Sequence, residues 1–563
     1  MHHTKLKLTG AQLVVRLLEQ QGITTVAGIP GGAALPLYDA FAERDTIRHV
    51  LARHEQGAGF IAQGMARVSG KAAVCMASSG PGATNLVTAI ADAKLDSIPL
   101  VCITAQVPQS MIGTDAFQEV DTYGISIPVT KHNYLVRDVI ELLHVIPEAF
   151  RLAESGRPGP VWIDIPKDVQ MASIEIDALP GPGRPDEAPA VDMDELRRAA
   201  ELINAARSPV LYLGGGIVTA GTSAQAVMLA EQAGLPTTMT LMALGTMPSD
   251  HPLSLGMLGM HGARFTNYIL EESDLLIVLG ARFDDRAIGK AEQFCPNAAI
   301  VHVDIDAAEL GKIKRPHVGI HGDVGKVLEQ LLPLIQVQLR KQWLSRVSDL
   351  RSRHPLQMPG VEDPRTHYGL IDAVANALDA AHADKAIITT DVGQHQMWVA
   401  QAYPFSRPRQ WLTSGGLGTM GFGMPAAIGA ALAEPDRTVI CFSGDGSFMM
   451  NIQELATMAD EGANVKIILM NNQSLGMVHQ QQDMFYKRRL FAVDYKRRSD
   501  FVKIAQGFGI EACDLDTAKN PRAMLADALN RRGPCLIHCS IDIEAKVLPI
   551  VPPGASNTEM IGG

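Results

Sequence analysis

Residues 439–455 read VICFSGDGSFMMNIQEL: an apolar run, a Gly-Asp-Gly turn and the first residues of a helix in direct succession. The run does not alternate with polar residues, so it reads as a strand covered on both faces, the pattern of parallel sheets in α/β proteins. A glycine turn between strand and helix offers backbone N–H groups and the positive end of the helix dipole to an anion such as phosphate. Asp445 puts a negative charge where a negative ligand is expected. Either it caps the helix, or it holds a cation that in turn holds the anion.

The next apolar run, VKIILMNN (465–472), favours the cation. Between GDG (444–446) and NN (471–472) there is room for one helix and one strand, so Asp445 and Asn472 end neighbouring parallel strands at the carboxyl edge of the sheet, where open α/β sheets bind ligands. Mg²⁺ takes an octahedral array of oxygens, usually one or two protein carboxylates plus substrate phosphates. Asp445, the Asn472 amide oxygen and the Ser474 carbonyl supply three oxygens, and a diphosphate supplies more. Taken alone, GDG is a capped turn and Asn471-Asn472 a second turn; it is the pair at this spacing that points to a metal.

The same layering extends through the chain. TGAQLVVRLLEQQGI (9–23) has Thr9 as an N-cap, an apolar helical face and Gly22 as a stop, and the strand-like TTVAGI follows. KAAVCMA and PLVCIT are apolar strands flanking the helix ATNLVTAIADAKLD, which opens at SSGPG. A Pro/Gly/acid-rich linker, 177–195, leads to PVLYLGGGIV, LPTTMTL, DLLIVLGARF and AIVHVDID; a second break at 351–369 leads to AIITTDVGQ, TVICFSGDG and VKIILMNN. The expected organisation is α/β, three doubly wound parallel-sheet domains over 1–176, 190–340 and 365–545, with 546–563 (ending VPPGASNTEMIGG) as an extended surface arm. Strand, Ser-Gly-x-Gly, helix, strand occurs in both the first and third domains, with Pro81 and Asp445 at the x position, which marks the two as related.

At 563 residues the chain has room for about three domains. Hydrophobic residues make up 47% and charged residues 19%, and 51 glycines are spread throughout, as suits an α/β protein rich in strand-to-helix turns. A formal charge of -11 argues against nucleic acid or an anionic membrane as partner, and Lys487-Arg488-Arg489 and Lys496-Arg497-Arg498 are too short to reverse that. No apolar run reaches the length of a membrane span and MHHTKLKLTGAQ lacks a signal-peptide core, so a soluble, cytoplasmic chain is expected. Seven cysteines (Cys75, Cys102, Cys295, Cys441, Cys513, Cys535, Cys539) lack metal-ligand spacing and read as reduced core residues.

GDG followed by NN at this spacing resembles the thiamine-diphosphate (ThDP) enzymes over the full length of the chain. GIPGG, RHEQGAGFIAQGMAR, SGPGATN, GTDAFQEVD, SGRPGPVWIDIPKDV, LGMLGMHG, GARFDDR, TTDVGQHQMW, GLGTMGFGMPAAIGA and VPPGASN look like the catalytic subunits of acetohydroxyacid (acetolactate) synthases, nearest to the bacterial isozyme I type. That resemblance implies condensation of pyruvate with pyruvate or 2-ketobutyrate, with loss of CO₂, to 2-acetolactate or 2-aceto-2-hydroxybutyrate, the first common step toward the branched-chain amino acids. It implies ThDP pyrimidine-binding, FAD-binding and ThDP diphosphate/Mg²⁺-binding domains in that order. It also implies a homodimer or homotetramer with sites between subunits, and a regulatory small subunit.

By the same resemblance Glu55 is the carboxylate at pyrimidine N1′ and drives the cofactor to its imino tautomer. Gln118, Lys167 and Arg286 are active-site residues, Arg286 receiving the carboxylate of the second keto acid. Gly31, Val392, Gly393, Gln394, His395, Gly418, Met420, Gly446, Ser447 and Met477 contact ThDP, and Asp445, Asn472 and Ser474 hold Mg²⁺. Phe117 and Gln481 line the substrate pocket. A bound, non-redox FAD takes Arg157, Gly214, Gly215, Gly216, Thr240, Leu241, Met260, His261, Gly280, Arg282, Asp304, Ile305 and Asp323. Without the family, most of these would read as surface or salt-bridge residues and the glycine runs as plain turns. Two departures stand out: MVHQQQ (477–482) puts His479 and Gln481 where many members have Arg and Trp, and Ala105 replaces a usual Gly. Pyruvate oxidase or a simple decarboxylase is the nearest rival; a flavin oxidoreductase on a decayed ThDP fold is disfavoured by intact Glu55, Asp445 and Asn472.

Overall fold

The computed structural model describes residues 5–378 and 386–562; Met1–Thr4 of the N-terminal segment and Gly563 lie outside them. The first helix, Gly10–Gln20, starts as the sequence dictates: Thr9 Oγ1 accepts from the Gln12 N–H at 3.2 Å and Gln12 Oε1 accepts from the Thr9 N–H at 3.1 Å, a reciprocal capping box. Ahead of it β1 (Leu6–Thr9) pairs antiparallel with β8 (Ser173–Ile176).

Between them run β2 (Thr25–Gly28), β3 (Arg48–Leu51), β4 (Ala73–Ala77), β5 (Leu100–Gln106), β6 (His132–Leu135) and β7 (Pro160–Pro166). Next come β9 (Pro209–Leu213), β10 (Thr237–Met239), β11 (Ser254–Met257), β12 (Leu275–Leu279), β13 (Ala299–Asp304) and β14 (Val318–His321). The third group is β15 (Ile387–Thr390), β16 (Trp411–Leu412), β17 (Val439–Gly444), β18 (Val465–Asn471), β19 (Glu511–Asp514) and β20 (Cys535–Ser540). Among the described residues these form three parallel six-stranded sheets, ordered β3-β2-β4-β5-β7-β6, β11-β10-β9-β12-β13-β14 and β16-β15-β17-β18-β20-β19.

Counted from the first strand of each, the first and third sheets have one order, second-first-third-fourth-sixth-fifth, and the middle sheet another. The SGPG and SGDG turns both follow the third strand of their sheets. The sequence echo is therefore a repeat of topology.

The two like sheets meet through equivalent helices, Glu55–Ser69 and Gly423–Ala433, each preceding the third strand of its sheet. Their backbones touch: a Cβ on Gly64 would overlap the Ala426 carbonyl, and one on Gly429 the Ile61 carbonyl. Phe60 and Phe422 stack edge-to-face 5.4 Å apart, and the Arg67 guanidinium lies 4.8 Å from the Phe422 ring centre. Buried Glu454, from the third unit, accepts the Arg53 and His54 N–H groups at 3.0 and 2.9 Å and so holds the residues just ahead of the helix that begins with Glu55, which His54 caps by accepting the Gln56 N–H at 3.1 Å. Arg409 of the third unit donates to the carbonyls of Arg67 at 2.9 Å and Val218 at 3.1 Å, joining all three units.

Three expectations need correction. Residues 546–563 are no surface arm: Val547, Ile550, Val551 and Asn557 are buried, the Val551 N–H donates to Met260 at 2.9 Å, and Asn557 Nδ2 donates to the Ala287 carbonyl at 2.9 Å. The burial of Val547, Ile550 and Val551 outweighs the proline- and glycine-rich look of the segment. The 177–195 linker ends earlier, because Asp192 caps a helix from Met193 by accepting the Asp194 and Glu195 N–H groups. The 351–369 break is also shorter, since helices Lys341–Arg353 and His367–Ala377 enter it from both sides. The cysteines are free, and all but Cys513 are fully buried.

Gly64→Ala is expected to lower the unfolding midpoint in urea by the equivalent of about 1–3 kcal/mol or more, because the methyl meets a backbone carbonyl that cannot move aside. Gly507→Ala, where an added Cβ has nothing within 4 Å, should change it by less than about 0.5 kcal/mol.

Candidate active site

β17 and β18 pair in parallel with Gly444 opposite Met470, so Asp445 and Asn472 leave adjacent strands at one edge, as the spacing predicts. Asp445 is 3% exposed. Burial pushes its carboxyl up to about 6, against the backbone N–H groups of Asn472, Gly446 and Gln473, which favour the charged form. Among the described residues no cationic side chain pairs with it. A buried, unpaired carboxylate is costly, and a divalent cation offsets that cost, so the donor set fits Mg²⁺.

Around it the cleft is lined by Val392, Gly393, Gln394, His395, Met420, Gly446, Ser447, Asn472, Ser474 and Met477, the predicted ThDP and metal residues of this unit apart from Gly418. Gly418, in the same loop as Met420, has a left-handed backbone with φ 70°. Burial holds His395 neutral, lowering its pKa to about 3, and its Nε2 has no hydrogen-bond partner. An orphaned ring nitrogen beside a glycine turn fits a diphosphate oxygen as partner. Gly444 is required here, since a Cβ would sit 2.9 Å from His395 Nδ1.

Residues absent from the expected set hold the Met420 loop. Asp391, fully buried, accepts from the N–H groups of Val392 at 2.9 Å, Gly421 at 2.8 Å and Gly423 at 3.3 Å. From the first unit, Asp96 accepts the Gly415 and Gly416 N–H groups at 3.1 and 2.7 Å, and Asp92 accepts the Ser414 hydroxyl and, at 2.9 Å, the Thr419 hydroxyl. Arg67 is shared between the two acids, 2.7 Å from Asp96 and 3.4 Å from Asp92. The only sequence signal for Asp92 was an acid inside the apolar stripe of the helix ATNLVTAIADAKLD.

The edge of the first sheet gathers a separate set. Glu55 opens its helix after β3, and its Oε2 accepts from Asn85 Nδ2 at 2.9 Å. Gly31 lies against Ser78, whose hydroxyl is buried and unpartnered. Gln118, with φ 59°, runs its backbone against Gly80, and Lys167 Nζ donates to the Gly32 carbonyl at 3.0 Å. Phe117 is 87% exposed and Gln481, on helix Gly476–Phe485, does not line the cleft of the third sheet. Among the described residues none from the first unit lines that cleft, so Glu55 is not part of it.

In the middle sheet the order reverses between β9 and β12, the switch point at which doubly wound sheets bind dinucleotides. Gly214–Gly216 follow β9 and Gly280 follows β12; a Cβ on Gly216 would meet the Gly280 Cα at 2.7 Å, so the two turns interlock. Beside them the Thr240 hydroxyl is buried without a partner, next to Leu241, and burial raises the Asp304 carboxyl to about 6. These features fit a dinucleotide. Arg157 is bonded to Asp306 and Glu309 at 3.1 and 2.8 Å, Asp323 caps helix Val324–Leu331, the Ile305 carbonyl pairs with His321, and Tyr212 donates to the Arg282 carbonyl. His261, pushed down to about 4 by burial, faces the Pro549 carbonyl at 3.3 Å. Arg286 and Met260 line a cleft of about 210 Å³ with Val551–Ala555 of the C-terminal segment, the guanidinium 3.7 Å from the Met260 sulfur. Ala105 is buried against Ala33 and Ala34.

Family models describe the same three units: the N-terminal TPP binding domain of thiamine pyrophosphate enzymes matches residues 8–125, their central domain 196–331 and their C-terminal TPP binding domain 391–539. The chain belongs to the thiamine pyrophosphate (thiamine diphosphate) enzymes. Within them it groups with the acetolactate synthases. It is 67% identical over 559 residues to the acetolactate synthase isozyme 1 large subunit of Escherichia coli (strain K12), covering 99% of this chain and 98% of that protein. It is 46% identical over 555 residues to the isozyme 2 large subunit of the same organism (98% and 99%) and 46% identical over 573 residues to acetolactate synthase 1, chloroplastic, of Oryza sativa subsp. japonica (98% and 87%).

Asp391→Ala strands three backbone N–H groups, at about 1–3 kcal/mol each. It should lower the melting temperature and weaken ThDP binding, titrated calorimetrically, by about tenfold or more.

Proposed function

We propose that the chain is the catalytic subunit of an acetolactate synthase, condensing pyruvate with a second pyruvate or with 2-ketobutyrate and releasing CO₂. The observation that carries the reading is the buried, unpaired Asp445 beside Asn472 at the carboxyl edge of the third sheet, under a glycine turn with an orphaned His395. When bound, ThDP supplies a thiazolium carbon that adds to the keto carbonyl and takes up the electrons left as CO₂ departs. Asp445, the Asn472 amide oxygen and the Ser474 carbonyl hold Mg²⁺, while His395 and the turn at Gly446–Ser447 take diphosphate oxygens. Met420 and the Gly418 carbonyl, in a loop held by Asp391 and Asp92, would contact and orient the cofactor when it is bound. Glu55 exchanges a proton at pyrimidine N1′, Asn85 fixing its orientation. Arg286, with a largely exposed guanidinium, binds the carboxylate of the second keto acid. FAD occupies the switch point of the middle sheet without changing redox state.

Separation of the Glu55 and Asp445 edges within one chain supports a site shared between two chains, hence a homodimer or a homotetramer built from it. The name "large subunit" borne by both Escherichia coli relatives supports a small regulatory partner. Among the described residues no helix is long and apolar enough to cross a membrane, in keeping with a cytoplasmic enzyme.

Glu55→Gln should lose about 100-fold or more in acetolactate formation with ThDP and Mg²⁺ added. Undiminished turnover would refute the reading, and acetaldehyde or acetyl phosphate as the product from pyruvate would favour the rival enzymes. Mixing inactive Glu55→Gln and Asp445→Asn chains after dissociation should restore activity, because each mixed pair carries one site with both residues intact; a site within one chain gives no recovery. Gln481 in place of an apolar residue removes a contact that decides a methylene by about 1–3 kcal/mol. Competition between the two acceptors should therefore show only weak preference for 2-ketobutyrate, and strong preference would exclude Gln481 as the determinant.

A further inference from the structure

Three side-chain amides lie in series at the third-sheet cleft, and the outermost, Gln480, is 1% exposed with no part in the function above. The Val547 N–H donates to Gln480 Oε1 at 2.9 Å, and Gln480 Nε2 donates to the Val547 carbonyl at 3.0 Å. A backbone N–H only donates and a carbonyl only accepts, so the Gln480 amide has one possible orientation. Its Oε1 also accepts from Gln394 Nε2 at 3.0 Å, and the same Nε2 donates to the Ala545 carbonyl at 2.8 Å. Gln394 therefore turns its Oε1 to the cleft, where Asn472 Nδ2 donates to it at 3.1 Å. With its nitrogen engaged, Asn472 keeps its Oδ1 for other partners. One lone pair takes the Ser474 N–H at 3.2 Å and the other is free. Gly476 makes room for this: a Cβ there would overlap both Gln394 Oε1 and Asn472 Nδ2.

We propose that Gln480 is a positioning residue for the cation: anchored on the backbone of Val547, it sets through Gln394 which atom of the Asn472 amide faces the metal, ensuring oxygen and not nitrogen. The proposal rests on the reading of Asp445 and Asn472 as Mg²⁺ ligands. It gives the C-terminal segment a function, because residues 545–547 hold the reference end of the relay.

The test is calorimetric titration of Mg²⁺ into the full-length chain at fixed ThDP, with melting temperatures and kcat at saturating cofactor. Gln480→Leu removes one of the two acceptors of Gln394 Nε2, leaving the Ala545 carbonyl, and both bonds to the Val547 backbone; Gln480→Glu keeps the acceptor for Gln394 and the one for the Val547 N–H. Gln480→Leu should raise the apparent Mg²⁺ Kd by about tenfold or more and leave kcat at saturation within about threefold, while Gln480→Glu stays within about threefold in Kd even though its melting temperature falls as far. If both variants lose Mg²⁺ affinity in step with melting temperature, Gln480 is only a packing residue and the proposal fails. If Gln480→Leu binds Mg²⁺ as the unaltered chain does while Asp445→Asn does not, the proposal fails and the metal reading stands. If Asp445→Asn binds Mg²⁺ as well as the unaltered chain, both fall.

Discussion

Everything in this molecule hangs on one backbone-to-backbone approach, that of helices Glu55–Ser69 and Gly423–Ala433. Gly64 and Gly429 let each helix press on a carbonyl of the other, a distance that no side chain permits. The contact fixes the spacing of the first and third sheets, and because it joins equivalent helices of two units with one strand order, it sets them in a reciprocal relation. The same helix starts with Glu55, and the third unit grips that start through Glu454. The packing of the halves and the placement of the proposed proton carrier are one structural fact.

Charge is distributed along the same line. Arg67, Asp92 and Asp96 are buried and satisfied, and they bind the loop of the third unit that carries Gly418 and Met420. Breaking such a set by removing one partner costs about 3–5 kcal/mol, because the remaining charge is stranded. Asp391 is likewise closed off by backbone donors. Asp445 also meets backbone N–H groups, but it lines the cleft beside Asn472, and that placement carries its proposed role as a metal ligand. The repeat makes the same point: the equivalent turn in the first unit has Pro81, which starts a helix and offers no ligand.

Much of this was legible from pattern. Apolar runs that do not alternate located the central strands β4, β5, β9, β12, β17 and β18, because burial on both faces removes polar residues from them. Edge strands such as β3 (RHVL), β14 (VGIH) and β19 (EACD) escaped, since half-exposed positions admit charge and their short runs carry no period. The C-terminal segment was misread for a related reason: proline and glycine mark a chain without regular structure, and whether such a chain is buried depends on the surface it meets.

The motif spacing determined that Asp445 and Asn472 end adjacent parallel strands, because strand, helix, strand has a fixed length and direction and the carboxyl edge follows from it. The family motifs carried the rest of the expected site, residue by residue. Only the tertiary structure decided how those residues are held. Asp92 and Asp96 reach the Met420 loop from more than three hundred positions away in the chain, and Gln480 and Val547 orient Gln394 and Asn472 through hydrogen bonds whose direction is imposed by a distant backbone. Spacing along the chain records local geometry, whereas the sense of a hydrogen bond between remote groups exists only once folding has brought a particular N–H to a particular oxygen.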